Sequence, residues 1–347
     1  MKVNPSIRFC EDSLMHPRIV ECVPNFSEGK DLSKIRRITE RIESVPEVKV
    51  LDVSPGFDAH RTVVTFLGPP EAIAEAAFQG IAQAARTIDM REHHGEHPRI
   101  GATDVCPFVP VGSVTLADCT AIAHCVGKRV GDELGIPVYF YEAAASSPER
   151  TNLADVRRGQ YEGLAEKLKD LRWRPDCGPA IFNPRSGATI IGAREFLIAF
   201  NITLNTPNKA AAAEIACELR ESGRRIGQDV RKPGKFKCCK AIGWYVEEYK
   251  RAQVSLNLTN FKITPPHVVL EEARRLAAER GLSVTGSELV GMIPYQALLE
   301  AGKFYLSRQG RSTDVPVMEI LETAVQAMGL NDVQPFDIRK KVLGLPA

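Results

Sequence analysis

The chain has 347 residues, of which 44% are hydrophobic and 25% charged, and its formal net charge is +2. That length calls for two domains or one two-lobed unit, and the near-neutral balance gives no global pull toward nucleic acid or an anionic membrane. No run nears the roughly 18 uninterrupted apolar residues of a membrane helix, and nine cysteines without a Cys-x-x-Cys pair suggest neither a disulfide framework nor a zinc ribbon.

Residues 1–18 lack an apolar core and carry acidic groups, so they read as a short extension rather than a secretory signal, and a reducing cytoplasm is expected. Ile19 to Val23 then reads as a strand, ended by Pro24. Leu32, Ile35, Ile38 and Ile42 recur at helical spacing. Val48 to Val53 and Thr62 to Leu67 are two short strands, the second punctuated by Gly68-Pro69-Pro70. Ile73, Ala77, Ile81, Ala84 and Ile88 mark a long amphipathic helix. A His/Gly-rich stretch over 93–104 precedes an extended run from Cys106 to Val111. The next helix carries Ile122, Cys125, Val126, Val130 and Leu134, with Gly135 as its stop, and Ile136 to Tyr141 is a strand.

The second half reuses this plan. Glu195 to Leu204 predicts a long strand, and Thr206-Pro207 offers a hydroxyl cap with proline at the first helical position. Ala252 to Leu258 and Lys262 to Thr264 read as strands, Val268 to Arg280 as a helix, and Ser283 to Thr285 as extended. Two helices close the chain, around Leu298 to Leu306 and Val317 to Met328. Strands arriving singly and in adjacent pairs between helices predict α/β sandwiches with mixed sheets rather than a doubly wound parallel sheet. Neither Gly-x-Gly-x-x-Gly after the first strand nor a Walker loop is present, so nucleotide-binding folds lose their signature. The boundary falls near residue 193, dividing the chain into an extension (1–18) and two lobes (19–193 and 194–347).

The densest polar cluster runs from His93 to Asp104 and holds three of the seven histidines within five positions. Histidine alone titrates near neutrality when unperturbed, so these residues could move protons at pH 7. A His-His-x-x-His metal site and a solvated loop are the competing readings, although the glycines and Pro98 break any helix that would align ligands. Asp52 to Thr62, with Asp58, His60 and Arg61, joins two strands and reads either as a pocket wall or as a capped Pro-Gly turn. Val23 to Gly29 lies before a helix, where an anion site and simple capping by Ser27 are equivalent explanations. Gly178 to Gly187 could hold a flat heterocycle or serve as a linker. Arg224 to Lys237 concentrates cations around two glycines and a proline; too few aromatics accompany them for nucleic acid.

Together these blocks resemble the formiminotransferase family over nearly the whole chain from Ile19. The resemblance is carried by Val20 to Gly29, Arg61-Thr62, Phe66 to Pro70, Ile88 to Met90, Gly95-Glu96-His97-Pro98-Arg99 and Thr103 to Phe108. Phe196 to Ile202, Ile242 to Tyr245, Ala252 to Ser255 and Gly286 to Gly291 continue it. It implies two mixed-sheet α/β subdomains with helices on their outer faces and a ligand groove between them, in a homodimer. It implies transfer of the formimino group of formiminoglutamate to N5 of tetrahydrofolate or its polyglutamates, tetrahydrofolate being a co-substrate and no metal being required. The cyclodeaminase domain of animal relatives is expected to be absent.

The family's essential histidine corresponds to His97, and its folate loop to Gly178, Pro179, Ala180, Ile181, Phe182, Asn183, Pro184, Arg185, Ser186 and Gly187. His97 would act as base and then acid. Asp52, Asp58 and Asp104 are candidates for the charge that meets a protonated formimino group, and Arg61, Arg99 and Arg185 for the glutamate carboxylates. The 224–237 loop would attract longer polyglutamates. Ser54 and His60 replace a carboxylate and an asparagine of mammalian relatives, so formyl transfer from 5-formyltetrahydrofolate or N-formylglutamate is the rival reading. A folate-binding protein without turnover is a further one.

Overall fold

The computed structural model describes residues 18–227 and 230–345. The expected extension therefore lies outside the described residues up to position 17, as do Gln228 and Asp229 of the basic stretch.

In the first half the strands are β1 (Arg18–Cys22), β2 (Asn25–Phe26), β3 (Lys49–Gly56), β4 (Arg61–Gly68), β5 (Thr103–Gly112), β6 (Val138–Glu142) and β7 (Thr189–Ala193). Helices α1 (Leu32–Glu43), α2 (Pro70–Thr87) and α3 (Leu116–Leu134) run between them, with single turns α4 (Leu153–Val156) and α5 (Leu164–Lys167). The second half brings β8 (Ile198–Leu204), α6 (Lys209–Leu219), β9 (Arg224–Arg225), β10 (Arg231–Lys232), β11 (Cys239–Val246) and β12 (Arg251–Leu258). It continues with α7 (Pro266–Ala278), β13 (Val284–Val290), β14 (Ile293–Pro294), α8 (Tyr295–Arg308), α9 (Val317–Met328), α10 (Ile338–Lys341) and β15 (Val342–Leu343).

Local chemistry explains most boundaries. Asp31 caps α1 by accepting from the Ser33 amide, and α1 buries Ile35, Ile38 and Ile42. Thr115 and Asp118 form a reciprocal capping box at the start of α3, and Gly135 ends it in the left-handed region at φ 62°. Helix α6 departs from expectation. It is capped by Asn208, whose side-chain oxygen accepts from the Ala210 and Ala211 amides, while Thr206 only stabilises the preceding turn by accepting from the Asn208 amide at 3.2 Å. Lys262 to Thr264 is a turn rather than a strand, because Asn260 draws in the Lys262 amide with its side chain and the Ile263 and Thr264 amides with its carbonyl. Strands β7 and β11 carry no clear alternation and were not anticipated.

The first sheet is mixed, in the order β3-β4-β1-β5-β7-β6, with β2 continuing β1 between β4 and β5. Only β5–β7 and β6–β7 pair in parallel. The second sheet, β11-β12-β8-β13, is antiparallel throughout, where a second mixed sheet was expected. The difference has a simple origin: the parallel pairs come from the α3–β6–β7 extension, whereas the chain after β13 adds no strand to the second sheet, β14 and β15 pairing in parallel only with each other. Without that extension the halves share one connectivity, β-α-β-β-α-β, and one strand order, β3-β4-β1-β5 and β11-β12-β8-β13.

The likeness extends to the hairpins. Gly56 pairs with Arg61 and Val246 with Arg251, each closing a four-residue turn. Each turn ends on a left-handed residue, His60 (φ 47°) or Lys250 (φ 53°). Val20, Cys22, Val64, Phe66, Cys106 and Phe108 pack beneath α1–α3 in one core, and β8, β11 and β12 contribute to a separate core with α6–α9. The opposite face of β5, β6 and β7 is sealed by Ile100, Val156, Leu164 and Leu168 around Tyr139 and Tyr141.

Candidate active site

Between the halves lies a cleft of about 850 Å³. Lys30, Phe57, Asp58, His94, Gly95, Glu96, Arg99, Gln160 and Glu162 line it from the first half, and Lys209, Tyr245 and Glu247 from the second. The hairpin tips meet at its edge, where Asp58 accepts from the Glu248 amide at 3.2 Å. Close backbone packing sets this geometry. A Cβ on Gly29 would sit 2.3 Å from the Gly56 carbonyl oxygen, and one on Gly95 would sit 2.5 Å from that of Ala59. Both positions must therefore be glycine for the β3–β4 hairpin to lie against the 27–29 and 93–97 loops.

His97 is half-buried, one residue beyond the cleft-lining Glu96. Its Nδ1 lies 2.7 Å from the Pro98 carbonyl, which can only accept, and 2.5 Å from Arg61 Nη1, which can only donate; the carbonyl contact is satisfied when Nδ1 carries the proton and Nε2 keeps its lone pair. Arg61 Nη1 stands 2.9 Å from Nε2, while Arg61 Nη2 donates to Asn25 Oδ1. Burial, then the cations of Arg61 and Arg157, hold the His97 pKa well below the usual histidine range. The ring is therefore neutral at pH 7, as a base must be. Asp104 is wholly buried and anchors both guanidinium groups: it accepts from Arg157 at 3.1 and 2.5 Å and from Arg61 at 3.4 Å. Its Oδ1 also accepts the Ile100 amide at 3.0 Å.

A second network adjoins this one. His60 presents Nδ1 to the His94 carbonyl at 2.7 Å and Nε2 to the Glu28 carboxylate at 3.1 Å. Burial alone would raise the Glu28 pKa; the His60 bond, the Asp31 and Lys30 amides and Lys34 overcome that and hold it well below the carboxylate range. His93 stacks on His60, donates Nε2–H to the His60 carbonyl at 2.7 Å, and accepts Arg99 Nε on Nδ1 at 3.1 Å. Burial chiefly pushes His93 down to about 4, leaving it neutral. Arg99 reaches Glu162 with both Nη groups.

Other anticipated residues lie elsewhere in the fold. Asp52 accepts from Lys341 at 2.5 Å and from Ser54 at 2.6 Å, tying β3 to α10. Arg185 donates to the carbonyls of Ala85 and Arg86 at the end of α2. The 178–187 segment spans two environments. A Cβ on Gly178 would lie 2.4 Å from the Ile136 carbonyl oxygen, whereas Ser186 and Gly187 pair with the 100–102 segment that follows His97 in the chain. Phe182 packs against Tyr161, and Ile181 is 70% exposed. Pro179 and Ala180 lie between these ends, and the Asn183 side chain accepts from the Arg185 and Ser186 amides. Arg224, Arg225, Arg231 and Lys232 form an exposed two-strand hairpin.

Sequence reading missed Arg157, Glu162, Glu28 and Lys341. Only Glu28 had a local signal, since it lies just before α1 and accepts the Lys30 and Asp31 amides that lead into it. Among the described residues no group of three or more His, Cys, Asp or Glu converges as metal ligands would. None of their helices is long and apolar enough to cross a membrane. The arrangement offers a neutral imidazole, buried guanidinium groups and cleft-facing carboxylates, suited to proton transfer on an anionic substrate that bears a cationic group.

Comparison with known proteins agrees with this chemistry. Residues 19–194 match the formiminotransferase domain, N-terminal subdomain, and residues 199–345 match the formiminotransferase domain. The formimidoyltransferase-cyclodeaminase of Rattus norvegicus is 46% identical over 326 residues, covering 94% of this chain and 59% of that protein. The chain thus spans about three fifths of such relatives. Glutamate formimidoyltransferases of Streptococcus pyogenes serotype M1 and Thermoplasma acidophilum are each 44% identical, over 83% and 84% of this chain and 93% of their own lengths. With both domain models matched in order and this identity sustained along shorter relatives of similar extent, the chain belongs to the formiminotransferase family.

Proposed function

We propose that this chain transfers the formimino group of N-formimino-L-glutamate to N5 of tetrahydrofolate, yielding 5-formiminotetrahydrofolate and L-glutamate. The observation that carries the reading is the 44% identity to two glutamate formimidoyltransferases across 93% of each. Tetrahydrofolate is a co-substrate, consumed stoichiometrically, and its polyglutamates are equally substrates. No metal takes part, the protein is a cytoplasmic homodimer, and neither nucleic acid nor membrane is a partner. The two subdomains meet near residue 193, a division supported by the separate sheets and cores on either side.

In this mechanism N5 attacks the formimino carbon and gives a tetrahedral intermediate bearing three nitrogens. His97 Nε2 accepts the N5 proton and returns it to the departing glutamate nitrogen. For that, Arg61 must move off the imidazole, which a substrate carboxylate drawing its guanidinium away would accomplish. Asp104 fixes Arg61 and Arg157 rather than meeting substrate, and Asp58 at the hairpin tip is the better partner for a protonated formimino group. Asp52 would take part only if Lys341 released it. Arg99 binds a glutamate carboxylate, while Gly178 to Gly187 borders the folate side. The direct test is incubation with tetrahydrofolate and formiminoglutamate, following 5-formiminotetrahydrofolate. Parallel assays with the two formyl donors should give no comparable turnover, and chelator should leave the rate unchanged. Turnover of a formyl donor alone would overturn the reading.

A further inference from the structure

Arg99 is only 6% exposed, and its inner donors are already engaged. Nε donates to His93 Nδ1 at 3.1 Å and Nη2 to the His93 carbonyl at 3.2 Å. The outer side of the guanidinium fork opens on the cleft that Arg99, Gln160 and Glu162 help to line. A carboxylate already sits there. Glu162 accepts from Nη1 at 2.8 Å and from Nη2 at 2.6 Å, the paired geometry in which arginine recognises any carboxylate.

The two partners live in different surroundings. The Arg99 side chain is 7% exposed and that of Glu162 62%. A buried guanidinium needs an anion beside it, whereas an exposed glutamate is comfortable in water and gains little from pairing. The backbone of this turn is held independently of the Glu162 side chain. The neighbouring Tyr161 donates its amide to the Arg99 carbonyl at 2.9 Å and its hydroxyl to the Pro184 carbonyl at 2.5 Å. Glu162 can therefore leave the fork without the turn unfolding.

We infer that Glu162 is a resident stand-in for substrate carboxylate: it occupies the Arg99 fork in the unliganded protein and yields it to an incoming glutamate-type carboxylate. The inference rests on the glutamate-bearing substrates proposed above and names their seat and its gatekeeper. Exchange of one carboxylate for another keeps Arg99 paired at both ends of the process, and the displaced Glu162 is hydrated at the cleft mouth. The same exchange sets affinity. If Glu162 holds the fork about nine-tenths of the time, the apparent dissociation constant of a competing carboxylate is raised about tenfold.

The experiment is calorimetric titration of the full chain with L-glutamate and with glutarate, comparing the parent, Glu162→Gln and Glu162→Ala. Both variants should bind both ligands about three- to tenfold more tightly than the parent. Adding Arg99→Gln to either variant should abolish that gain. Unchanged or weaker binding in the Glu162 variants would overturn the inference, since Glu162 would then merely brace Arg99. So would a gain that survives loss of Arg99. Because the readout is binding, a parent unable to transfer formimino groups would remove the proposed activity and leave this result standing.

Discussion

Arg61 Nη1 lies within 2.9 Å of both ring nitrogens of His97, 2.5 Å from Nδ1 and 2.9 Å from Nε2, the nitrogen left basic once Nδ1 donates to the Pro98 carbonyl. A cation thus covers the imidazole proposed as the base, and the buried Asp104 holds that cation in turn. The contact keeps the imidazole neutral and oriented until a competing anion draws Arg61 away.

Replacing this imidazole tests the chemistry directly. His97→Ala should lower kcat by on the order of a hundredfold or more, with folate affinity by fluorescence titration largely retained. Equal turnover in variant and parent would remove His97 from the mechanism.

The pH–rate profile carries a second expectation. A proposed base acts in its neutral form, and burial with Arg61 and Arg157 lowers the His97 pKa from the ordinary 6.5. The kcat/KM of the parent should therefore hold steady as pH falls through 6.5 and decline only at lower pH. Arg157→Gln removes one cation and should move that acid limb upward. A limb unmoved by the substitution would mean that Arg157 does not act on His97.

Asp104 makes its contribution to the fold itself. It is wholly buried between two arginines, and Asp104→Asn leaves both without their anion. Loss of on the order of 3 kcal/mol is expected from breaking such a pair. Chemical denaturation should register it as a fall in midpoint; a variant as stable as the parent would contradict the pairing.

Glu21, on β1, is 2% exposed, and burial, only partly offset by Arg194, raises its pKa from 4.5 to about 7. Between those values the folded chain holds a proton that the unfolded chain has lost, so Glu21 makes stability fall as pH rises from 4.5 to 7. Glu21→Gln should flatten that slope and add on the order of 3 kcal/mol at most above pH 7. Denaturation curves at pH 5 and pH 8 decide it, a parallel loss in both proteins being the contrary result.

Most of the strand and helix order was legible because it is written locally, β7 and β11 excepted. Apolar spacing outlined α1, α2 and α3, Gly135 marked a helix end, and the Asp52–Thr62 and Gly95–Arg99 blocks marked the loops that border the cleft. Their ordered resemblance to one family was likewise a property of the chain alone. The tertiary structure decided what those residues meet. Asp52, Asp58 and Asp104 are equivalent carboxylates on the page, yet one faces Lys341 from 289 positions away, one a backbone amide of the opposite hairpin, and one two arginines. Arg157 and Glu162 sit in a turn-rich excursion without periodicity, and the return of β7 between β5 and β6 brings that excursion against Asp104 and Arg99. Hydrophobic period and capping act over a few residues, whereas the charge state and partner of a buried group depend on what the whole fold sets within a few ångströms of it.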